Sequence, residues 1–257
     1  MSNVVAAEIE STAEFVESYP QRVSYTERQV SLDPLVLSET EIQRYDRPRA
    51  DTVIPREYAF HLLGNVIGRT IIDLGCGDGV NSVILASLGA RVFSIDISKH
   101  SLDVTAQRAA SNRVDNRVTL LHSDATAIPL EASSVDVVLC TALLHQVDPI
   151  QTARQIRRVL KPGGVAIFDE AIAGPDPFAQ DDSQLNIQKV EAVCRAVGRR
   201  GRRRDFWLTT RFVSRMGGRT FSSAAKAAQR LDAVVLQRFP FARKLASPLV
   251  WEAKKES

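Results

Sequence analysis

Short apolar runs alternate with longer amphipathic stretches between residues 70 and 171. The runs are rich in valine, isoleucine and leucine, and several end near a glycine or an acidic residue. This pattern is typical of buried strands. Stretches of helical length separate the runs, so the pattern predicts a parallel sheet whose strands are joined by crossover helices. The predicted strands are residues 71–74, 91–96, 118–124, 135–140 and 165–168.

The segments on either side of this alternating region follow different patterns. Before it, Pro55 and Gly64 bound a predicted helix over residues 56–63, because proline suits the first turn of a helix and glycine suits its end. After residue 175 the pattern predicts two helices and two strands. The helices are residues 183–197 and 224–239, and the strands are residues 205–210 and 249–253.

Length and composition indicate one globular unit with appendages. A chain of 257 residues with 44% hydrophobic and 25% charged residues can bury a sizeable core. We expect three parts: an N-terminal helical lead-in or lid over residues 1–64, a core over residues 65–171, and a C-terminal part over residues 172–257 that completes the sheet.

Other features of the sequence predict a cytoplasmic protein without metal. No apolar run approaches the roughly 20 residues that a membrane span needs, and the acidic N-terminus lacks a signal-peptide pattern. The three cysteines, Cys76, Cys140 and Cys194, have no metal-binding spacing and are typical of reduced thiols. Nothing in the sequence indicates the oligomeric state.

Three glycines at alternate positions follow the first predicted strand. Gly75, Gly77 and Gly79 lie between this strand and a helix-like segment over residues 80–88. Glycine lets a backbone turn sharply and lets a ligand approach it closely. The start of the helix adds free N–H groups and positive dipole character. This strand–turn–helix unit predicts a loop that binds a nucleotide-type cofactor.

Asp96, at the end of the second predicted strand, strengthens that interpretation. It follows the glycines at close to the spacing, about 20 residues, at which an acid hydrogen-bonds ribose hydroxyls in dinucleotide-type folds. A carboxylate can accept from both vicinal hydroxyls. The alternative is an ordinary turn residue after a strand. With the glycine loop in place, ribose binding is the favoured interpretation.

Three further segments give the chain a family resemblance. Asp124-Ala125 follows the third strand, Asp136-Val137-Val138 lies in the fourth, and Leu160-Lys161-Pro162-Gly163-Gly164 precedes the fifth. With the Asp-Leu-Gly-Cys-Gly motif and Asp96, the chain over residues 71–170 resembles the small-molecule class I S-adenosylmethionine-dependent methyltransferases. The resemblance implies an α/β, Rossmann-like, seven-stranded and mostly parallel sheet with helices on both faces. It also implies that residues 205–210 and 249–253 complete the sheet, one of them antiparallel, around a helical insertion.

The resemblance also implies a binding role for individual residues. Asp73, Gly75 and Gly77, with Cys76 between them, would hold the methionine end of S-adenosylmethionine. Asp96 and Ile97 would hold the ribose, Asp124 and Ala125 would face the adenine, and Thr141 would lie near the methyl group. The product would be S-adenosylhomocysteine.

His145 and Glu170 are the candidate catalytic residues. His145 follows the fourth strand and titrates near working pH, but a structural histidine that caps a short helix is an equally good interpretation. Glu170 follows the fifth strand, at the edge where ligands bind in such sheets. Tyr45 and Tyr58 could close over the cofactor, although each is more often a packing residue.

Arginines are concentrated in the C-terminal part. They include Arg203 among residues 195–204. This positive charge could be a solvated face, could bind an anionic group of the substrate, or could hold nucleic acid. A helix over residues 224–239 with one apolar face leaves peripheral membrane contact open. Methyl transfer to an oxygen, nitrogen or carbon of a small molecule, apolar with an anionic group, is the leading hypothesis.

Two other functions stay open at this point. RNA methylation would use the arginine cluster, but the low aromatic content of 6% disfavours a stacking surface for bases. The other alternative is a cofactor-binding protein that has lost transfer activity.

Overall fold

Eight strands form one sheet in the computed structural model, which describes residues 4–6, 30–31, 33–52, 54–171, 185–206, 231–232, 234–235, 238 and 249–256. The order of the strands across the sheet is β1-β4-β3-β2-β5-β6-β8-β7. Their bounds are Val4–Ala6 (β1), Thr70–Leu74 (β2), Arg91–Asp96 (β3), Val118–His122 (β4), Val135–Thr141 (β5), Leu160–Glu170 (β6), Arg199–Asp205 (β7) and Leu249–Lys254 (β8).

Strands β1 to β6 pair in parallel, and only β8 runs antiparallel to its two neighbours among the described strands. The predicted Rossmann-like sheet of seven mostly parallel strands is therefore confirmed. The three-residue strand β1, which the sequence did not predict, adds an eighth strand beside β4. Strand β6 begins at Leu160, so residues 160–164, which were expected to precede the fifth predicted strand, are part of an irregular strand.

Six α-helices have described bounds, and four of the six begin where a polar side chain caps them. Ser98, Asp148 and Asn186 each accept a hydrogen bond from a backbone N–H of the first turn, which satisfies a group that the helix itself leaves free. None of the helices that the structure describes is long and apolar enough to cross a membrane. Their bounds are Glu39–Arg44 (α1), Pro55–Leu63 (α2), Val80–Ser87 (α3), Lys99–Ser111 (α4), Pro149–Val159 (α5) and Ile187–Val197 (α6).

The core lies on both faces of the sheet. One apolar cluster joins the sheet to α5 and α6 through residues such as Ile156 and Val193. The other joins the opposite face to α2 and α3 through residues such as Phe60 and Ile84. Neighbouring strand residues alternate between the clusters, since the side chains of a strand point alternately to its two faces. Because both faces of the sheet are buried, the sequences of its strands are nearly continuous apolar runs.

The C-terminal strands differ in part from the prediction. The strand expected over residues 205–210 begins at Arg199 instead and ends at Asp205, so the arginine run itself is β7. An edge strand tolerates this charge because one of its sides is not paired. Residues 207–210 and most of the predicted helical insertion lie outside the described residues, whereas β8 agrees with the predicted last strand.

Gly79 gives a test of how tightly the glycine loop packs. A Cβ atom there would lie 2.6 Å from Oγ1 and Cγ2 of Thr105, and φ is +77°. We expect Gly79→Ala to lower the free energy of unfolding by about 2–5 kcal/mol, the sum of left-handed strain and overpacking. Gly68→Ala is the matched control: φ is +71° with no atom within 4 Å, so only strain of about 1–2 kcal/mol applies. Urea unfolding measures both, and equal losses would contradict this packing.

Candidate cofactor and active site

A cavity of about 270 Å³ opens at the carboxyl ends of the central strands. This is the edge where ligands bind in open parallel sheets. Seven residues that the sequence predicted for cofactor binding line it: Gly75, Cys76, Gly77, Asp96, Ile97, Ala125 and Thr141. The remaining lining residues are Val30, Arg56, Leu74, Asp78, Asn81, Ile95, Ser123, Ala142, Leu143, Gln146 and Val147.

The glycines of the loop have distinct surroundings. A Cβ atom on Gly75 would lie 3.0 Å from the side chain of Leu143, and one on Gly77 would meet nothing within 4 Å. Both residues have positive φ values, +71° and +53°. Gly75 thus allows the loop after β5 to pack closely, whereas the space over Gly77 is open for a ligand.

The backbone N–H groups of this loop are largely used within the protein. Gly75 and Cys76 donate to the carbonyl oxygen of Ile95 over 2.8 and 3.1 Å. Gly77 donates to Oδ2 of Asp96 over 2.9 Å. The N–H groups of residues 75–77 therefore bind the loop to the end of β3.

Asp96 connects the loop to the floor of the cavity. It is buried, and its Oδ1 accepts from the N–H of Ser98 over 2.9 Å while Oδ2 accepts from Gly77. Burial raises the pKa of this carboxyl, and the backbone N–H donors partly offset the rise. Each carboxylate oxygen can accept more than one hydrogen bond, so Asp96 can hold the loop and still receive hydroxyl groups from a ligand.

Asp73 lies beneath the loop, and it does not line the cavity. Its Oδ2 accepts from Oγ of Ser82 over 2.6 Å, and Oδ1 has no hydrogen-bond partner among the described residues. Complete burial raises the pKa of Asp73 to about 6. A buried oxygen without a partner is costly, so a donor from a bound ligand or water would stabilise this position.

Asp124 has a local role in the structure. Its Oδ1 accepts from both the N–H and the hydroxyl group of Thr126 over 2.8 Å. Asp124 therefore fixes the turn after β4 and leaves Ala125 and Ser123 at the cavity wall. Thr141, at the end of β5, accepts from Nδ2 of Asn81 over 3.2 Å.

Glu170 is buried and holds the backbone after β5. Its Oε1 accepts from the N–H groups of Leu143 and Leu144 over 2.8 and 2.9 Å. Nδ1 of His145 lies 3.5 Å from Oε2 of Glu170. Neither catalytic candidate lines the cavity. The held loop includes Ala142, whose φ of +51° is rare for a residue with a Cβ atom.

The structure does not bring the three candidate substrate residues to the cavity. Tyr45 packs on Phe60 with ring centroids 4.8 Å apart. Tyr58 lies in the core beside Phe206, with ring centroids 5.8 Å apart. Arg203 donates to Asp205 over 2.6 Å.

Sequence reasoning missed several residues at the site. Arg56 carries the one positive charge among the described residues that line the cavity, and Asn81 and Gln146 add amide groups. Asp169 lies half-buried at the end of β6, where burial raises its pKa to about 7. The sequence did contain a signal for Arg56. A cation in the first turn of a helix is unfavourable because it opposes the helix dipole, so an arginine directly after Pro55 indicates a role other than helix stability.

Part of the lead-in also reaches the cavity. Val30 lines it, and the chain beside Val30 is held by the fully buried side chain of Arg108 in α4. The guanidinium of Arg108 donates to the carbonyl oxygens of Ser31, Pro34 and Asp78. One buried cation thus ties the lead-in to the glycine loop.

These residues fit an adenosyl cofactor. The open space over Gly77 and the carboxylate of Asp96 lie along one wall, and the partnerless oxygen of Asp73 lies beneath the loop. Apolar side chains of Ile97 and Ala125 border the same cavity, as a flat aromatic base requires.

Comparison with known proteins agrees with this geometry. Residues 72–168 match the family described as methyltransferase domain. Demethylmenaquinone methyltransferase of Clavibacter sepedonicus is 36% identical over 126 residues, which are 49% of this chain and 50% of that protein. The chain therefore spans about half the length of this curated relative.

Two solved structures share the fold along almost the whole chain. Geranyl diphosphate C-methyltransferase from Streptomyces coelicolor, in complex with S-adenosyl-L-homocysteine, superposes with a TM-score of 0.63 at 15% identity, covering 96% of this chain and 100% of that one. The [4+2]-cyclase SpnF superposes with a TM-score of 0.61 at 17% identity, covering 100% and 99%. At such identities the likeness concerns the fold alone.

The family match and the sequence relatives agree with the motifs between residues 71 and 170. Residues 72–168 match the methyltransferase domain family, in agreement with the resemblance of residues 71–170 to the class I S-adenosylmethionine-dependent methyltransferases.

Proposed function

We propose that this protein transfers a methyl group from S-adenosylmethionine to an oxygen, nitrogen or carbon atom of a small molecule. The observation that carries the proposal is the cavity beside the glycine loop, Asp96 and Ala125, since these residues lie within the segment that matches the methyltransferase domain family. A cyclase shares the fold, so the fold by itself does not decide the activity.

In this proposal each part of the cofactor has its own set of residues. Gly75, Cys76 and Gly77 would border the methionine end, with Asp73 below them. Asp96 and Ile97 would bind the ribose, and Ala125, held by the Asp124 turn, would border the adenine. When bound, S-adenosylmethionine supplies a methyl group that is already activated. The protein must therefore orient the acceptor and exclude water.

His145 and Glu170 would then assist the acceptor. Glu170 positions the backbone of residues 143–144 and lies near the ring of His145. We propose Glu170 as a positioning residue and His145, which is 30% exposed, as the group that removes a proton where the acceptor requires it. A hydroxyl or ammonium acceptor needs such a step.

The arginines of β7 do not favour the RNA alternative. Arg202 pairs with Glu252 over 2.9 Å, and Arg203 pairs with Asp205 over 2.6 Å. Arg204 lies over the rings of Tyr58 and Phe206. Because Arg202, Arg203 and Arg204 already have partners in the protein, a solvated and partly structural face accounts for this part of the arginine cluster.

The molecule that accepts the methyl group can be identified by transfer of a labelled methyl group from the cofactor. Incubation of the protein with methyl-labelled S-adenosylmethionine and a host extract that contains both metabolites and nucleic acids should place label in one small molecule. Label in the nucleic acid fraction would favour the RNA alternative. Tight binding of S-adenosylhomocysteine without labelling of any fraction would favour a cofactor-binding protein that has lost transfer activity.

Asp96→Ala tests the ribose site. The ribose hydroxyls would lose their acceptor, so affinity for S-adenosylhomocysteine should fall by about 1–3 kcal/mol in calorimetry. Asp136→Ala is a matched control, because Asp136 also accepts from a backbone N–H, that of Thr70, but lies at the amino ends of the strands. Unchanged affinity in Asp96→Ala, or an equal loss in Asp136→Ala, would remove Asp96 from the ribose site.

The raised pKa values of Asp73 and Asp169 predict how the affinity for the cofactor depends on pH. A sulfonium cation is bound more tightly by ionised carboxylates, so binding favours their deprotonation. With pKa values of about 6 and about 7, affinity for S-adenosylmethionine should rise as pH increases from about 5 to 8. S-adenosylhomocysteine lacks the sulfonium charge and should change less. Calorimetry across this range measures both, and identical pH profiles would contradict the prediction.

A further inference from the structure

The part of the lead-in that reaches the cavity is held in place by side chains. We call it the lead-in segment, and its described residues are 30–31 and 33–37, which form neither helix nor strand. No backbone–backbone hydrogen bond joins these residues to the rest of the described chain. Backbone polar groups that leave water need other partners, so the position of the segment depends on the side chains beside it.

Two residues at the end of α4 supply those partners. Arg108 donates to the carbonyl oxygens of Ser31 and Pro34. Asn112, the C-cap residue of the helix, accepts from the N–H of Leu37 over 2.9 Å. Residues four positions apart lie on the same side of a helix. Arg108 and Asn112 therefore form one surface on which the lead-in segment docks.

Arg108 also holds the glycine loop. Its Nε donates to the carbonyl oxygen of Asp78 over 2.7 Å, and its Nη2 lies 3.4 Å from Oδ2 of the same residue. The side chain of Arg108 is fully buried, and hydrogen bonds are stronger where water is excluded. The docked segment therefore strengthens the contacts of Arg108 with the loop, and an ordered loop in turn favours docking of the segment.

Both ends of this connection line the cavity. Asp78 belongs to the glycine loop, and Val30 directly precedes Ser31 in the lead-in segment. A ligand in the cavity meets both walls only while the segment is docked on α4. Such a ligand binds the docked state more tightly, and it shifts the equilibrium toward that state by the difference in affinity.

We propose that Arg108 is a positioning residue that couples the lead-in segment to the cofactor. S-adenosylmethionine in the cavity stabilises the docked segment, and the docked segment tightens the binding of the cofactor. The inference rests on the proposed function. Arg108 itself does not line the cavity, so it acts through the two walls that it joins. Coupling between two binding events is reciprocal, so the two effects have the same size.

Proteolysis tests how the ligand acts on the segment. Thermolysin cleaves before large apolar residues, and the side chains of Leu35 and Val36 are exposed, so cleavage there measures how often the segment leaves α4. Saturating S-adenosylhomocysteine should slow this cleavage of the natural protein about 5- to 50-fold, within the usual range of coupling between sites. In Arg108→Gln the cleavage should be faster, and the saturating ligand should no longer slow it.

Calorimetry tests how the segment acts on the ligand. Arg108→Gln should bind S-adenosylhomocysteine more weakly by the same factor, and Arg108→Lys, which keeps the charge with fewer donors, should recover part of the loss. Asn112→Ala loosens the segment alone, because within the described chain the side chain of Asn112 bonds to the segment and to its own helix. It should also weaken binding, and its loss should be less than additive with that of Arg108→Gln.

Arg157→Gln is the matched control. Arg157 also joins two elements through a backbone carbonyl, since its Nη1 donates to Val197 over 3.0 Å, but it connects α5 with α6 and not with the glycine loop. This variant should keep the affinity of the natural protein and the protection by the ligand. Thermal unfolding verifies that each variant is folded.

The outcomes distinguish the two proposals. The coupling is wrong, while cofactor binding stands, if the ligand does not slow cleavage of the natural protein or if it protects Arg108→Gln to the same extent. Full affinity in Asn112→Ala would also overturn it. If the natural protein does not bind S-adenosylhomocysteine, the proposed function fails and the inference fails with it.

Discussion

The hydrogen bonds between the glycine loop and the end of β3 are the constraint on which the site depends. Ile95 accepts from Gly75 and Cys76, and Asp96 accepts from Gly77. They fix the loop in left-handed conformations that glycine tolerates. The same bonds place the carboxylate of Asp96 beside the open space over Gly77. One set of contacts thus shapes the cradle and positions its acid, so loop and acid are parts of one structure.

Charge is distributed around this cradle in a way that suits a zwitterionic, sulfonium-bearing ligand. Several carboxylates lie at or just below the cavity, and burial raises the pKa values of Asp73 and Asp169. The one cation that lines the cavity within the described chain is Arg56. A second cation, Arg108, is buried, and its guanidinium donates hydrogen bonds to backbone carbonyls of the lead-in and the loop. Arg108 therefore shapes the wall, whereas Arg56 lines the cavity.

Much of the fold could be predicted from the sequence because it follows from local patterns. Apolar runs predicted the strands of the core, and the capping residues Ser98 and Asp148 predicted two helix starts. The position of β7 could not be predicted in this way, since a run of arginines has no apolar periodicity and pairs with β8 through backbone bonds. At the site, the sequence motifs correctly predicted the residues of the glycine loop and of the strand ends that line the cavity. Arg56, Asn81 and Gln146 come from elements far apart in the chain, and only tertiary packing brings them together. Conversely, Glu170 looked catalytic from its place after a strand, and its contacts with residues 143–144 give it a structural role.

In this proposal the loop over residues 75–79 and Asp96 together hold an adenosyl cofactor. A crystal structure of the protein with S-adenosylhomocysteine would show this contact. We expect the two ribose hydroxyls within hydrogen-bond distance of the Asp96 carboxylate and the adenine between Ile97 and Ala125. Electron density for the ligand outside this cavity, or a ribose that makes no contact with Asp96, would contradict it.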